Sequence, residues 1–160
     1  MVSEDHCVYV KRTRGIMFLT LYVNDILLVG NNLEMINATK QWSSIFEIKD
    51  MGEARYVLGV EIVRNRPKKL LGICQEAYIK RVLERFRMHH SKHVDTPVEK
   101  GLILSLYQCP KTDQEKEKME DVPYASAVGS LMYVMLCTRP DICFVVGLVS
   151  RYQNNTGPTH

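Results

Sequence analysis

The sequence lacks the cysteine patterns that mark disulfide frameworks and zinc knuckles. Its five cysteines, at positions 7, 74, 109, 137 and 143, are odd in number, and no two of them have Cys-x-x-Cys spacing. Scattered cysteines of this kind are typical of free thiols in a reducing compartment, where structural disulfides are rare. Cys137 and Cys143 have apolar neighbours, so we expect both of them in the core.

Long apolar runs are also missing. The longest, Ile16–Val29, is interrupted by Asn24 and Asp25 and falls short of the ~20 apolar residues that a membrane-spanning helix needs. The first residues, M-V-S-E-D-H, are acidic and polar, which is not the pattern of a signal peptide. We therefore expect an intracellular protein that is neither secreted nor inserted in a membrane.

The motifs of several enzyme classes are absent as well. There is no G-x-G-x-x-G and no G-x-x-x-x-G-K, which argues against a dinucleotide site or a P-loop. There is no G-x-S-x-G of a serine hydrolase either. His89, His90 and His93 have no cysteine close by, so a solvated loop is a better interpretation than a zinc site, which needs three or four converging ligands.

The charge that is present is unevenly distributed. The chain is 46% hydrophobic and 24% charged with a net charge of +3, which is typical of a packed globular protein. Between Arg64 and His93, however, nine Lys and Arg face only two acids. Such a segment either binds a polyanion or forms a solvated surface, and the sequence leaves both alternatives open. The candidate phosphate-binding residues are Arg64, Arg66, Lys68, Lys69, Lys80, Arg81, Arg85 and Arg87.

One hairpin is predicted clearly. The stretch F-L-T-L-Y-V-N-D-I-L-L-V-G-N, residues 18–31, sets the polar pair Asn24 and Asp25 between the apolar strands Ile16–Val23 and Ile26–Val29. Asn and Asp tolerate the positive φ that tight hairpin turns require, so we expect them to form a two-residue turn. Two or three carboxylates at such a tip can hold magnesium. One carboxylate beside a neutral amide is a poorer version of that site.

The other predicted elements favour an α+β fold, because strands dominate the first half of the chain and helices the second. Pro123 is expected to begin a helix whose apolar stripe contains Tyr124, Val128, Leu131, Met132, Met135 and Leu136. In the first half of the chain, the remaining predictions are a strand at Cys7–Val10 and a helix at Leu33–Phe46 preceded by a candidate cap at Asn31–Asn32. Two further strands are predicted at Tyr56–Val63 and Leu70–Cys74, on either side of a basic turn at Arg64–Lys69. After them we predict an amphipathic helix at Glu76–Met88, an exposed linker at Ser105–Asp121 and a Pro-started helix after Thr138.

Several segments together resemble one protein family. Tyr22–Leu28 resembles the Y-V-D-D-I-L motif of copia-type retrotransposon reverse transcriptases. Further motifs of that family occur in the same order and cover essentially the whole chain, namely Phe46–Glu53, Tyr56–Ile62, Gln75 with Tyr78 and Ile79, Pro123–Tyr133 and Thr138–Ile142.

The resemblance implies a fold and a set of site residues. Residues 1–75 would be the C-terminal part of the polymerase palm, an antiparallel sheet with a packed helix and two hairpins. Residues 76–160 would be a mainly helical thumb and the start of a connection toward a ribonuclease H domain. The catalytic residues would be Asp25 and the degenerate Asn24, in a hairpin motif that also includes Tyr22 and Val23, and the primer-grip-like residues would be Leu58, Gly59, Val60 and Glu61.

The resemblance also implies ligands. The intact family transfers nucleotides to a primer 3′ end with magnesium, so the expected partners are an RNA or DNA template-primer, deoxynucleotide triphosphates and the rest of the Pol polyprotein. The expected location becomes the cytoplasm or a particle of the element. Asp25 is the one metal ligand expected here, so magnesium should bind poorly.

This chain departs from the family pattern. Asn24 stands where the family has Asp, and Trp42–Ser44 is one residue short, which would rotate the next residues by about 100° around a helix. The upstream palm strand with a further metal-binding Asp, and the fingers, have no counterpart, as expected of a piece of a polyprotein cut at both ends. We therefore expect a reverse transcriptase fragment that is inactive alone. The alternatives are a non-catalytic nucleic-acid-binding module and a decayed remnant of the element.

Overall fold

The computed structural model describes residues 2–3, 5–98 and 101–160. The chain forms two compact units, Met1–Ala54 and Arg55–His160. Both contain a three-stranded antiparallel sheet and helices, so the predicted α+β class is confirmed. The second predicted hairpin belongs to the second compact unit, although the family resemblance implies that it lies in the palm with the first hairpin. The palm and thumb boundary at residue 75 stays a prediction.

As far as the structure describes it, the first unit is a β-meander followed by one α-helix. Its strands β1 (Val8–Arg12), β2 (Ile16–Tyr22) and β3 (Asp25–Gly30) lie in the order β1-β2-β3. Helix α1 (Leu33–Ser43) comes next and ends in a 3₁₀ turn, Ser44–Phe46. Asn32 caps α1, because its Oδ1 accepts hydrogen bonds from the Glu34 and Met35 amides at 2.9 and 3.2 Å.

The interior of the first unit is small. Met17 of β2 is buried, and its sulfur lies 3.6 Å from the Thr39 hydroxyl of α1. Trp42, Ile45 and Phe46 remain exposed. Trp42 and Phe46 contact each other instead, with ring centroids 4.8 Å apart. Ile45 and Phe46 directly follow the shortened segment Trp42–Ser44, and a displacement of both residues by the shortening stays a prediction.

In its described residues, the second unit combines a small sheet with four α-helices. Its strands β4 (Tyr56–Val57), β5 (Val60–Asn65) and β6 (Leu70–Cys74) lie in the order β4-β5-β6. The α-helices are α2 (Glu76–Arg85), α3 (Asp113–Glu120), α4 (Tyr124–Cys137) and α5 (Cys143–Ser150), with 3₁₀ turns at Leu106–Gln108 and Pro140–Ile142.

Most of the segment Ser105–Asp121 is exposed, as predicted, but the prediction that it is a linker is wrong. The 3₁₀ turn Leu106–Gln108 and helix α3 occupy most of it, and each begins with a reciprocal capping box. The Thr112 hydroxyl accepts from the Glu115 amide at 3.3 Å, and Glu115 accepts from the Thr112 amide at 3.2 Å. The Thr-x-x-Glu pattern is readable in the sequence, but the absence of an apolar stripe concealed the helix.

The core of the second unit lies between α4 and α5. Val128 and Val134 of α4, Val146 of α5 and Tyr152 are buried. The predicted stripe was partly wrong, because Leu131 and Leu136 are exposed. Helix α4 is apolar on almost every side, so periodicity identifies its buried face poorly.

The predicted core position of the two cysteines is also partly wrong. Cys143 is exposed at the start of α5, whereas Cys137 is half-buried. All five cysteines are free thiols. The apolar neighbours of Cys143 in sequence lie on the other sides of a short helix, so they did not indicate its own burial.

Candidate functional site

The first hairpin turns one residue earlier than predicted. Tyr22 pairs with Asp25, so the two-residue turn is Val23–Asn24 rather than Asn24–Asp25. Asp25 is the first residue of β3. The side-chain preferences of Asn and Asp favoured the other register, but the pairing of Leu21 with Ile26 and the residues beyond fixes this one.

Val23 has an unusual backbone at the tip of this hairpin. Its φ is +51°, although its side chain is 88% exposed and gains no burial in return. A β-branched residue rarely adopts positive φ, because Cβ then crowds the backbone. Such strain is concentrated at functional sites, so the outlier supports a functional role for this turn.

The side chains at this turn do not make a magnesium site by themselves. Asp25 is exposed at the beginning of β3, and the adjacent Asn24 can offer only a neutral carbonyl oxygen. Within the described ranges, no three His, Cys, Asp or Glu side chains come together as a metal site would require. Magnesium prefers several carboxylate or phosphate oxygens, so the donor set present here does not fit it.

The hairpin formed by β4 and β5 contains a turn that the sequence did not predict. Val57 pairs with Val60 and Tyr56 with Glu61, so Leu58 and Gly59 form a two-residue turn. Their φ values are +53° and +80°, the pattern of a type I′ turn. The single predicted strand Tyr56–Val63 is therefore wrong. Leu-Gly is not the usual Asn-Gly of such turns, and Gly59 was the one available signal.

A polar cluster lies behind the Leu58–Gly59 turn. The Tyr133 hydroxyl of α4 donates a hydrogen bond to the Leu58 carbonyl. The Tyr133 ring meets the Tyr78 ring edge to face at 4.9 Å. The Thr138 hydroxyl donates to Gln75 Oε1 at 2.6 Å, and Gln75 is only 3% exposed. Burial raises the pKa of Tyr133, and the neighbouring Cys137 adds to this effect, so the hydroxyl stays protonated and able to donate.

The sequence motifs do not predict a function for this cluster. Its residues belong to the motifs Q-x-x-Y, G-S-L-M-Y and T-R-P-D that carried the family resemblance. The motifs gave the residue types but not their meeting point, since Leu58 and Tyr133 are 75 residues apart in the chain.

The structure brings four of the candidate basic residues together on the β5–β6 hairpin, as predicted. The Asn65 side chain accepts from the Lys68 amide at 3.1 Å, and the Lys69 amide donates to the Arg66 carbonyl at 3.0 Å. Arg64 and Arg66 share this hairpin with Lys68 and Lys69, and all four are exposed.

The other candidate basic residues lie on or just after α2. Lys80 forms an ion pair with Glu76 at 2.7 Å, and this hydrogen bond lowers the pKa of the Glu76 carboxyl. Arg85, the last residue of α2, lies 5.5 Å over the Phe86 ring, and Arg87 lies two residues beyond the helix with a φ of +57°. Lys80 is thus partly neutralised by Glu76, which makes it a weaker anion-binding candidate than a lysine without an ion pair would be.

Residues 2–100 match the family described as reverse transcriptase (RNA-dependent DNA polymerase). This chain belongs to the reverse transcriptase family. The match covers most of the chain and includes the β2–β3 and β5–β6 hairpins. The family resemblance that the motifs indicate is therefore confirmed.

The curated relatives of this chain include transposon polyproteins. It is 50% identical over 160 residues to the retrovirus-related Pol polyprotein from transposon TNT 1-94 of Nicotiana tabacum, covering 98% of this chain and 12% of that protein. It is 33% identical to the corresponding polyprotein from transposon RE1 of Arabidopsis thaliana, covering 99% of this chain and 10% of that protein. The chain thus spans about a tenth of these relatives. No solved structure matches it.

In the part of the chain that the structure describes, no helix is long and apolar enough to cross a membrane.

Proposed function

We propose that this chain is a segment of a copia-type retrotransposon reverse transcriptase that carries the polymerase hairpin and template-primer contacts. The observation that carries the proposal is the Val23–Asn24 turn. An exposed valine keeps a φ of +51° within the very motif that resembles Y-V-D-D. Backbone strain at a residue whose side chain gains no burial supports a functional role for the turn.

The roles of the two units are part of this proposal. The first hairpin belongs to the palm, with Asp25 as the remaining catalytic carboxylate. The Leu58–Gly59 turn, with Val60 and Glu61, acts as the primer grip. The helices from α2 onward form the thumb and the beginning of the connection. In the intact polyprotein the partners are a template-primer and deoxynucleotide triphosphates, and the location is inside the cell.

We further propose that this chain alone does not extend a primer. Asn24 brings no negative charge where the family motif has an aspartate, and the donor set around Asp25 does not fit magnesium. A single well-placed electrostatic group commonly contributes ~3 to 4 kcal/mol to a transition state, or a rate factor of ~10² to 10³. Losing more than one such group removes useful turnover.

Primer extension tests the inactivity directly. The purified chain is incubated with a primed RNA template, deoxynucleotide triphosphates and magnesium, with an active reverse transcriptase as the positive control. We expect no extension by the wild-type chain or by Asp25→Ala. Extension by the wild-type chain that Asp25→Ala abolishes would refute the proposal of inactivity.

A second candidate function is a non-catalytic nucleic-acid-binding module. The observation that favours it is the basic β5–β6 hairpin, on which Lys68 and Lys69 are exposed at the turn. Phosphate contacts by such side chains need no active site, and each adds about 0.9 to the logarithmic salt slope of binding. A decayed remnant would instead show neither binding nor a cooperative thermal transition.

A further inference from the structure

The Leu58–Gly59 turn is weakly held by its own hairpin. Strand β4 is only two residues long, so few ladder hydrogen bonds flank the turn on that side. Leu58 also carries a side chain at a φ of +53°, a conformation that costs free energy for any residue with a Cβ. A turn of this kind needs support from outside the hairpin to keep one conformation.

Helix α4 supplies that support through Tyr133. Its hydroxyl donates to the Leu58 carbonyl, which is the carbonyl of the strained residue itself. The Tyr133 ring is in turn held by edge-to-face contact with Tyr78 of α2. The donor therefore sits on a 14-residue helix and has its ring orientation fixed by a second helix.

A second link joins the end of α4 to the strand–helix junction after β6. The Thr138 hydroxyl donates to Gln75 Oε1 at 2.6 Å, and Gln75 lies between β6 and α2. Its Nε2 is buried without a hydrogen-bond partner among the residues described. The Thr138 hydroxyl therefore holds the buried Gln75 amide by donating to Oε1. Losing that hydrogen bond would leave Oε1 without a donor, in addition to the unpartnered Nε2.

We infer that Tyr133 and Thr138 are positioning residues, through which α4 fixes the Leu58–Gly59 turn and the base of its hairpin. The inference rests on the proposed function in one respect, namely that this turn meets the primer end. A movement of α4 then moves the primer contact with it. The Leu58–Gly59 turn and helix α4 therefore move together. Tyr133 acts through the turn and touches neither the primer nor the reacting atoms.

The chain offers matched controls for both links. Tyr124 also lies on α4, and its hydroxyl donates to the Val149 carbonyl at 2.8 Å. Tyr124→Phe and Tyr133→Phe therefore remove the same kind of hydrogen bond and keep the ring, but only the second touches the turn. Thr138→Val removes the hydroxyl at nearly constant shape, and Thr138→Ser restores it.

Two measurements on the full chain test the inference. The first is amide hydrogen exchange at residues 57–60. The second is the ratio of dissociation constants for an RNA–DNA hybrid with a recessed primer 3′ end and for the same hybrid with both ends closed by loops. We expect Tyr133→Phe and Thr138→Val to speed exchange and reduce the end preference by about fivefold, the effect of one hydrogen bond. Tyr124→Phe and Thr138→Ser should leave both readouts as in the wild-type chain.

The outcomes separate the inference from the function on which it rests. If Tyr133→Phe and Tyr124→Phe change exchange at the turn equally, or if binding to both hybrids weakens by the same factor, Tyr133 is merely structural and the inference is overturned. If the wild-type chain is folded but shows no end preference, the proposed primer contact fails, and the functional half of the inference fails with it.

Discussion

Tyr22 pairs with Asp25 across the first hairpin, which makes Val23 and not Asn24 the residue of positive φ. Asp25 therefore begins a strand, where the sheet fixes its backbone, and does not sit at the tip of the turn. The family motif thus places the strain and the carboxylate on different residues. Each can be changed separately, which gives the first two predictions.

Val23→Gly should not destabilise the chain. Glycine removes the cost of positive φ, about 1 to 3 kcal/mol, and adds backbone entropy to the unfolded chain worth about 0.5 to 1 kcal/mol. The free energy of unfolding, measured by denaturant titration, should therefore stay constant or rise by about 1 kcal/mol. The matched control is Val29→Gly on β3, where φ is that of a strand, and which should cost about 1 kcal/mol. Equal losses in both variants would show that the turn is not strained.

Asn24→Asp should create a magnesium response that the wild-type chain lacks. Two adjacent carboxylates repel each other and gain stability when a divalent cation binds between them. The thermal midpoint of Asn24→Asp should fall in low salt and recover with magnesium. At ten times its dissociation constant, magnesium should add about 1.4 kcal/mol to the free energy of unfolding. The double variant Asn24→Asp, Asp25→Asn keeps a single charge and should respond like the wild-type chain. Equal stabilisation by magnesium of the wild-type chain, Asn24→Asp and the double variant would contradict the interpretation that Asn24 leaves the magnesium site incomplete.

Lys68→Ala with Lys69→Ala should reduce the salt dependence of hybrid binding. If both side chains contact phosphates, the slope of log K against log salt becomes shallower by about 1.8. Lys116→Ala with Lys118→Ala removes the same charge from the exposed helix α3 and should leave the slope unchanged. Filter binding at four salt concentrations provides both slopes. Identical slopes for the two double variants would mean that the basic hairpin is only a solvated surface.

The capping box of α3 should make part of the stability depend on pH. Hydrogen bonds from the Lys111 and Thr112 amides lower the pKa of Glu115 below its ordinary 4.5. Because the folded pKa is the lower one, this contribution is fully present above pH 4.5 and is lost as the pH falls through the folded value. Glu115→Gln should therefore lower the thermal midpoint at pH 7, and the difference from the wild-type chain should vanish in more acidic solution.

Glu117→Gln is the control for this pH effect. It removes the same charge from the same helix without touching the cap, so its midpoint should follow that of the wild-type chain. Thr112→Ala removes the other half of the box and should cost about 1 kcal/mol at any pH. A pH-independent difference between Glu115→Gln and the wild-type chain would contradict the assignment.

The sequence predicted elements whose apolar pattern or motif is local. The β2–β3 hairpin, the cap at Asn32 and the β5–β6 hairpin agree with the structure, because strand alternation and turn residues act within a few positions. The register at Val23–Asn24 was missed, because it depends on the pairing of whole strands. Helix α3 was missed because its charged residues suggested a linker, although its capping box was there to read.

The candidate site could be predicted only in part, for a related reason. The motifs identified the family and the residue types at both turns. They could not reveal that Tyr133 reaches the Leu58 carbonyl, or that Thr138 holds Gln75, since these contacts join segments 75 and 63 residues apart. Contacts of this kind arise from tertiary packing and leave no period in the sequence.

Binding of the wild-type chain to a labelled RNA–DNA hybrid, measured over a salt series beside a thermal melt, tests the central claim most directly. If the chain is a reverse transcriptase segment that retains its template-primer contacts, it melts cooperatively and binds with a dissociation constant of about 1 μM or lower, the range that separates such a grip from weak non-specific attraction. That affinity should fall steeply with salt, as the neutralisation of several phosphates requires. A chain that melts cooperatively but does not bind the hybrid at any salt concentration would contradict the claim.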